Sequence, residues 1–262
     1  MQYVRSVDFS AFPAGAFHSQ RLADASTGLD SCLCLSTRVP PGTGTTTGLH
    51  THPSDQLYYV LRGTMHARVG ERTYEVRPGN LVIIPAGTPH WNWNEGSEDE
   101  LHFEVIVPTP PSGTPLVTPL GDNLPEHAGL DGFEVVRPLD ESRFDAARFS
   151  QVVLADRSTG LDTLSLGVFR VPPATQGPAL HMHRFDQIYY MISGTMELEL
   201  GFQRYTVGPH TLVTIPAGMP HRNWNASADE AEYHINLRVP EPASGDSAWD
   251  VPVTLGEAWG PG

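Results

Sequence analysis

Six of the twelve histidines in this 262-residue chain fall into two sets with one spacing. In each set a His-x-His pair is followed by a glutamine four residues after its second member, and a third histidine stands 34 residues beyond that glutamine. The sets are His50, His52, Gln56 and His90, then His181, His183, Gln187 and His221. Residues two apart on a strand point to the same face, so each His-x-His pair presents two imidazoles together. The glutamine can join them after a short turn. His90 follows Pro-Ala-Gly-Thr-Pro, turn composition that delivers it to the mouth of the next strand. Three imidazoles and one amide oxygen make a site for a divalent transition metal with positions left for water or substrate. One ion per half is expected, Fe2+ first, with Mn2+, Ni2+ or Zn2+ as alternatives. A lone buried histidine is usually a packed core residue. Here the same four residue types recur while neighbours differ, as at Pro53/Arg184, Trp91/Arg222 and Gly79/His210.

The elements that must position these side chains are themselves repeated. His50–Met65 returns as His181–Met196 and Asn80–Asn94 as Thr211–Asn225, both at an offset of 131. Upstream, Ser-Thr-Gly-Leu-Asp at 26–30 recurs at 158–162, and Arg-Val-Pro-Pro at 38–41 recurs at 170–173, now at 132. The chain is therefore a duplication. Its expected parts are a first half over 1–110, a Pro/Thr/Gly-rich linker over 111–125, a second half over 126–241 and a tail over 242–262. With 25 Gly and 24 Pro, long helices are disfavoured. Runs such as Leu57–Leu61, Thr73–Val76, Leu81–Ile84 and Leu101–Val107 are rich in β-branched and aromatic residues and bounded by Gly or Pro, the pattern of antiparallel strands in a sandwich or barrel. The one helical hint is Asp140–Arg148.

Charge excludes some function classes. A net charge of −14 with 16 Lys+Arg and no basic run argues against nucleic acid and against an anionic membrane surface. No apolar stretch approaches the ~20 residues of a membrane span, and the opening segment lacks the design of a secretory signal, so a cytoplasmic location is expected. Cys32 and Cys34, two apart, read as free core thiols.

At the histidine sets the sequence resembles the bicupins. The first cupin motif is matched by Gly44, His50, His52, Gln56 and Gly63, and the second by Gly79, Pro85, Gly87, His90 and Asn94. The second half matches at His181, His183, Gln187, Gly194, Pro216, Gly218, His221 and Asn225, with Thr175 and His210 replacing the opening glycines. The resemblance implies an all-β chain of two tandem cupin (double-stranded β-helix, or jelly-roll) barrels. It departs from the family at Gln56 and Gln187, where most cupin metal sites have Glu. A neutral amide leaves the ion its full charge and favours an anionic substrate oxygen, while removing the usual proton shuttle.

The resulting expectation is a metal-dependent enzyme of the dioxygenase type, acting on a small molecule bound through an enolate, phenolate or carbonyl oxygen. Alternatives are a non-redox lyase, isomerase or polyketide-cyclase-type enzyme, and a non-catalytic binding protein; the chain would be a monomer or homodimer. Tyr58 and Val60 share a face with Gln56, and Tyr189 and Met191 with Gln187. Asn92 and Asn223 are candidate hydrogen-bond partners of the ligands. His102 and His234, with Glu104 and Asn236 on the same face, are candidate acid–base groups. Trp91, Trp93 and Trp224 are expected between sheets or domains, and His18, His66 and His127 carry no assigned role. Because the second half lacks the opening glycines and brings Arg184 and Phe185 to its histidines, its pocket is expected to be the more constricted and the first pocket the open one.

Overall fold

A computed structural model describes residues 2–121, 125, 130–243 and 250–254. It is all-β, as expected, with four sheets. In the first half a six-stranded sheet runs, in spatial order, Val136–Pro138, Asn80–Ile84, Asp55–Arg62, Glu100–Val107, Leu33–Val39 and His18–Ala23. It faces a five-stranded sheet of Thr118–Pro119, His50–Thr51, His90–Trp93, Met65–Val69 and Arg72–Val76. The second half repeats both sheets with Val4–Ser6, Thr211–Ile215, Asp186–Ser193, Glu232–Val239, Ser165–Val171 and Ser150–Ala155 in one. The other holds Gln203–Val207, Met196–Leu200, His221–Trp224, His181–Met182 and Val251–Pro252. The predicted strands over 57–61, 73–76, 81–84 and 101–107 all lie inside these elements. Alternation buries one face: Met65, Ala67 and Val69 point inward while His66 and Arg68 are half-exposed.

The halves exchange strands. Val4–Ser6, at the start of the first half, pairs with Thr211–Ile215 in the second, and Val136–Pro138 pairs with Asn80–Ile84 in the first. Side chains repeat this two-fold relation. Asp55 accepts a hydrogen bond from Thr163 at 2.8 Å, and its counterpart Asp186 accepts one from Ser31 at 2.7 Å. The largest core lies between the barrels, where Leu57, Leu81 and Phe103 meet Ile188, Tyr190 and Leu212. The Tyr190 ring stacks on Phe103 at 4.4 Å and its hydroxyl bonds Ser36 at 2.8 Å. Each barrel also has its own interior, with Tyr58, Val60, Met65 and Val82 in one, Tyr189, Met191, Met196 and Val213 in the other.

Three local expectations are revised or refined. Asp140–Arg148 yields only the 3-10 turn Glu141–Arg143, capped by Asp140, because one turn of polar residues has no apolar face to bury. The repeated Ser-Thr-Gly-Leu-Asp segment is the same turn type, closed by capping boxes at Asp24/Thr27 and Asp156/Thr159 and ended by Gly28 and Gly160 at φ 86° and 91°. The tryptophans pack on outer faces, not between domains: Trp91 stacks on Trp93 at 4.6 Å, and Trp224 lies under Arg204 and Arg222. Cys32 and Cys34 are buried free thiols with sulfurs 3.9 Å apart. His18 packs on Phe12 and His66 on Trp93; His127 lies outside the described residues. Among the described residues no helix is long and apolar enough to cross a membrane.

Candidate metal centres

Backbone pairing assembles the histidines. His50 is the register partner of His90, and His181 of His221. One candidate ligand atom from each of His50, His52 and His90 lies within 4.8 Å of the others, and the same holds for His181, His183 and His221. All six residues are buried. Opposed ligands on a small ion stand roughly 4.2 Å apart and neighbouring ones about 3 Å, so both clusters match a metal shell with little contraction.

Each imidazole is oriented through its other nitrogen. Nδ1 of His50, His90, His181 and His221 donates to the carbonyl two residues earlier, at Gly48, Thr88, Ala179 and Met219, over 2.7 to 2.9 Å. Nδ1 of His52 donates to Leu116 at 2.6 Å, and Nδ1 of His183 lies 3.4 Å from the Asp250 carboxylate. These acceptors, not Asn92 and Asn223, hold the rings. Leu116 comes from the 111–125 segment and Asp250 from the tail. Each of those segments also adds a strand beside the first two histidines, Thr118–Pro119 against His50–Thr51 and Val251–Pro252 against His181–Met182. Burial, helped by neighbouring imidazoles, pushes His52 down to about 4 and His90 and His221 to about 3. These three rings are therefore neutral and able to donate lone pairs.

The glutamines are aimed in the same manner. Gln56 donates Nε2 to Glu104 at 2.5 Å and Gln187 donates Nε2 to Asn236 at 3.0 Å, turning both Oε1 atoms away. Those two oxygens, with Nε2 of His52, His90 and His221, are buried without a partner among the described residues. Leaving such groups bare costs about 1–3 kcal/mol each, and a divalent cation is the species that would satisfy all of them at once. The residues fit a metal.

The pockets beside the clusters differ, and not as the sequence led us to expect. The first is about 160 Å³, the second about 370 Å³. His210 does occupy the left-handed conformation of Gly79, at φ 58° against 80°, but it packs on Phe9 away from the pocket. The close approach that Gly44 permits to the Asn92 carbonyl, where a Cβ would stand 2.7 Å away, is made in the second half by Gly177 against Asn223. Arg184 is exposed, while Phe185 stacks on His183 at 4.6 Å. Leu116 and Val117, from the 111–125 segment, line the first pocket.

His102 lines the first pocket with Tyr58, Asn92 and Glu104. Its Nδ1 donates to both oxygens of buried Glu100 at 3.0 Å. Burial opposes its charge, but the Glu100 carboxylate, with its hydrogen bond, and the Glu104 carboxylate together outweigh burial and raise its pKa. Burial raises the Glu104 carboxyl, against the pull of His102 and the bonds from Gln56 and Thr37. His234 makes the same bond to Glu232 but does not reach the second pocket, because Phe169, in place of Thr37, covers it at 5.3 Å. The sequence reading missed Arg238, 9% exposed and on the wall of the second pocket. Its position corresponds to Ile106, so aligning the repeated strands 101–107 and 233–239 would have found it.

Comparisons with known proteins agree with the fold. The cupin domain family model matches residues 36–107 and 167–237. Acireductone dioxygenase of Cronobacter sakazakii is 36% identical over 61 residues, 22% of this chain and 32% of that protein. Protein SCO3923 of Streptomyces coelicolor is 36% identical over 69 residues, 26% of this chain and 64% of that protein. This chain thus spans about a third of the one and just under two thirds of the other. Oxalate decarboxylase from Bacillus subtilis, in its structure at pH 4.6, superposes with TM-score 0.67 at 16% identity over 92% of this chain and 77% of that one. Protein Ylba from E. coli superposes with TM-score 0.63 at 14% identity over 85% and 82%. At these identities the two structures attest the fold alone.

Proposed function

This chain belongs to the cupin domain family and carries two copies of the domain; from that premise we propose a metal-dependent enzyme of the dioxygenase type, whose small organic substrate binds through an enolate, phenolate or carbonyl oxygen. The observation that carries the reading is the neutral ligand set, three imidazoles with burial-lowered pKa values in the first half and an amide oxygen held outward by its own hydrogen bond. A divalent transition metal held by His50, His52, His90 and Gln56, or by His181, His183, Gln187 and His221, would supply an undiminished positive charge to a substrate oxygen and, as Fe(II), redox capacity.

The chain's own residues supply the rest. Glu104 fixes the Gln56 amide, and Leu116 and Val117 add apolar side chains to the wall of the first pocket. His102, backed by Glu100, is the wall residue that holds and releases a proton. The match to acireductone dioxygenase supports the dioxygenase branch. The buried His102–Glu100 pair favours a second reading, a lyase or isomerase that needs proton transfer and no oxygen. Both are tested by presenting metal-loaded protein with hydroxyketones, 1,3-diketones and aromatic diols in an oxygen electrode. Product formed with matching oxygen uptake supports the first reading. Equal product under nitrogen supports the second, and no product from any class contradicts both.

A further inference from the structure

The two pockets differ by a coordinated set of replacements. In the first, Ser19, Leu35, Glu104 and Ile106 line the wall. The corresponding positions in the second half are Gln151, Gly167, Asn236 and Arg238. Gly167 is what admits the change: a Cβ there would lie 2.4 Å from Nε2 of Gln151 and 2.8 Å from the Val152 carbonyl. Without that Cβ the Gln151 side chain crosses the strand, and its Oε1 accepts a hydrogen bond from Nη2 of Arg238 at 3.2 Å. The guanidinium is held over the Phe169 ring at 6.0 Å. An isolated Leu-to-Gly change would leave a hole. Here the space is used to place a buried cation.

The other polar groups on that wall have the same sense. Asn236 is fully buried, and because its Oδ1 accepts from Gln187, its Nδ2 is left without a partner among the described residues. Asn223 is 1% exposed and its Nδ2 is likewise unpartnered. Both line the pocket with Arg238. The second pocket thus offers amide donors and a guanidinium, and its unpartnered acceptor is Gln187 Oε1, which belongs to the candidate metal shell. In the first pocket the matching wall carries an acceptor, the Glu104 carboxylate, and an apolar Ile106. Asp250 stands at the rim of the second pocket, 61% exposed, and attracts the Arg238 charge. Oxyanions match walls in which buried donors outnumber acceptors, and Arg binds carboxylates with a planar fork of N–H groups.

We infer that the second pocket selects a ligand bearing a carboxylate, recognised by Arg238 with Asn236, and that the first pocket takes a ligand uncharged at that end. This rests on the proposed function only in placing another ligand oxygen at the metal. The second pocket, at about 370 Å³, has room for roughly a dozen water volumes, enough for a small carboxylic acid.

The test is binding of pyruvate and of its uncharged amide, by calorimetry, to full-length protein with its metal content measured, and to the metal-free protein. Pyruvate should bind better than the amide. Arg238→Ile, which installs the residue of the first half, should weaken pyruvate roughly ten- to a hundredfold and leave the amide unchanged, with metal content intact. Arg238→Lys should recover part of the loss, which a variant damaged in folding would not. A residual preference for pyruvate in metal-free protein that Arg238→Ile abolishes would support the inference even if the metal reading failed. Equal binding of pyruvate and amide, or a pyruvate affinity untouched by Arg238→Ile, overturns it.

Discussion

Replacing the glutamine ligands by glutamate should affect the two halves in opposite ways. In the second half, Gln187→Glu faces Asn236. Turning that amide over presents its unpartnered Nδ2 to the new carboxylate, which stays ionised and should tighten metal binding by about tenfold or more, since affinity follows ligand charge. In the first half, Gln56→Glu faces the Glu104 carboxylate. Two unit charges at the present 2.5 Å separation repel by roughly 7 kcal/mol at an effective dielectric near 20. That equals about five pH units, so the pair must keep a proton at neutral pH and the gain in affinity disappears. Adding Glu104→Gln should restore it. Competition against a fluorescent chelator, with metal counted per variant, reads both outcomes. Equal tightening by Gln56→Glu and Gln187→Glu, with Glu104 in place, would refute the claim that the Glu104 bond orients Gln56.

Acid should destabilise the metal-free protein early. His90 and His221 have folded pKa values of about 3, below the unfolded value near 6.5, so their contribution is complete above pH 6.5 and is lost as pH falls toward 3; at pH 5 the loss is about 2 kcal/mol each, read as a falling denaturant midpoint that bound metal restores. His102→Gln should keep its metal but lose about a hundredfold or more in turnover, whereas His234→Gln should leave turnover intact and cost about 1–3 kcal/mol of stability by stranding Glu232. Gly63→Ala, at φ 71° with a Cβ 2.7 Å from the Asp99 carbonyl, should cost about 1–3 kcal/mol from backbone strain alone, measurable by thermal unfolding. Because of the strand exchange, residues 1–125 and 126–262 expressed apart should each aggregate and co-expressed should form one soluble complex; a soluble, folded half on its own would contradict that.

The histidine sets and the strands that carry them were legible because ligation and alternation both impose fixed spacings, and the repeat made each half a check on the other. What was not legible is what depends on contacts between distant segments. Nothing in Val4–Ser6 signals that it completes the opposite sheet, since edge pairing leaves no local pattern. The loss of the opening glycines pointed to a tight second pocket because a motif position was read without its neighbours; Gly177, two residues on, makes the close approach, and His210 faces the N-terminal segment. Aligning the halves sets Arg238 against Ile106 but does not show where its side chain goes. Its place becomes meaningful only beside Gly167 and Gln151, three strands in one sheet acting on a single side chain.

Whether each half holds one metal ion is read by mass-spectrometric metal counting of the metal-loaded protein after dialysis. Two divalent ions per chain are expected, with one in His50→Ala, one in His181→Ala and none in the double variant. Two ions retained in the double variant, or none bound by the unaltered protein, would contradict it.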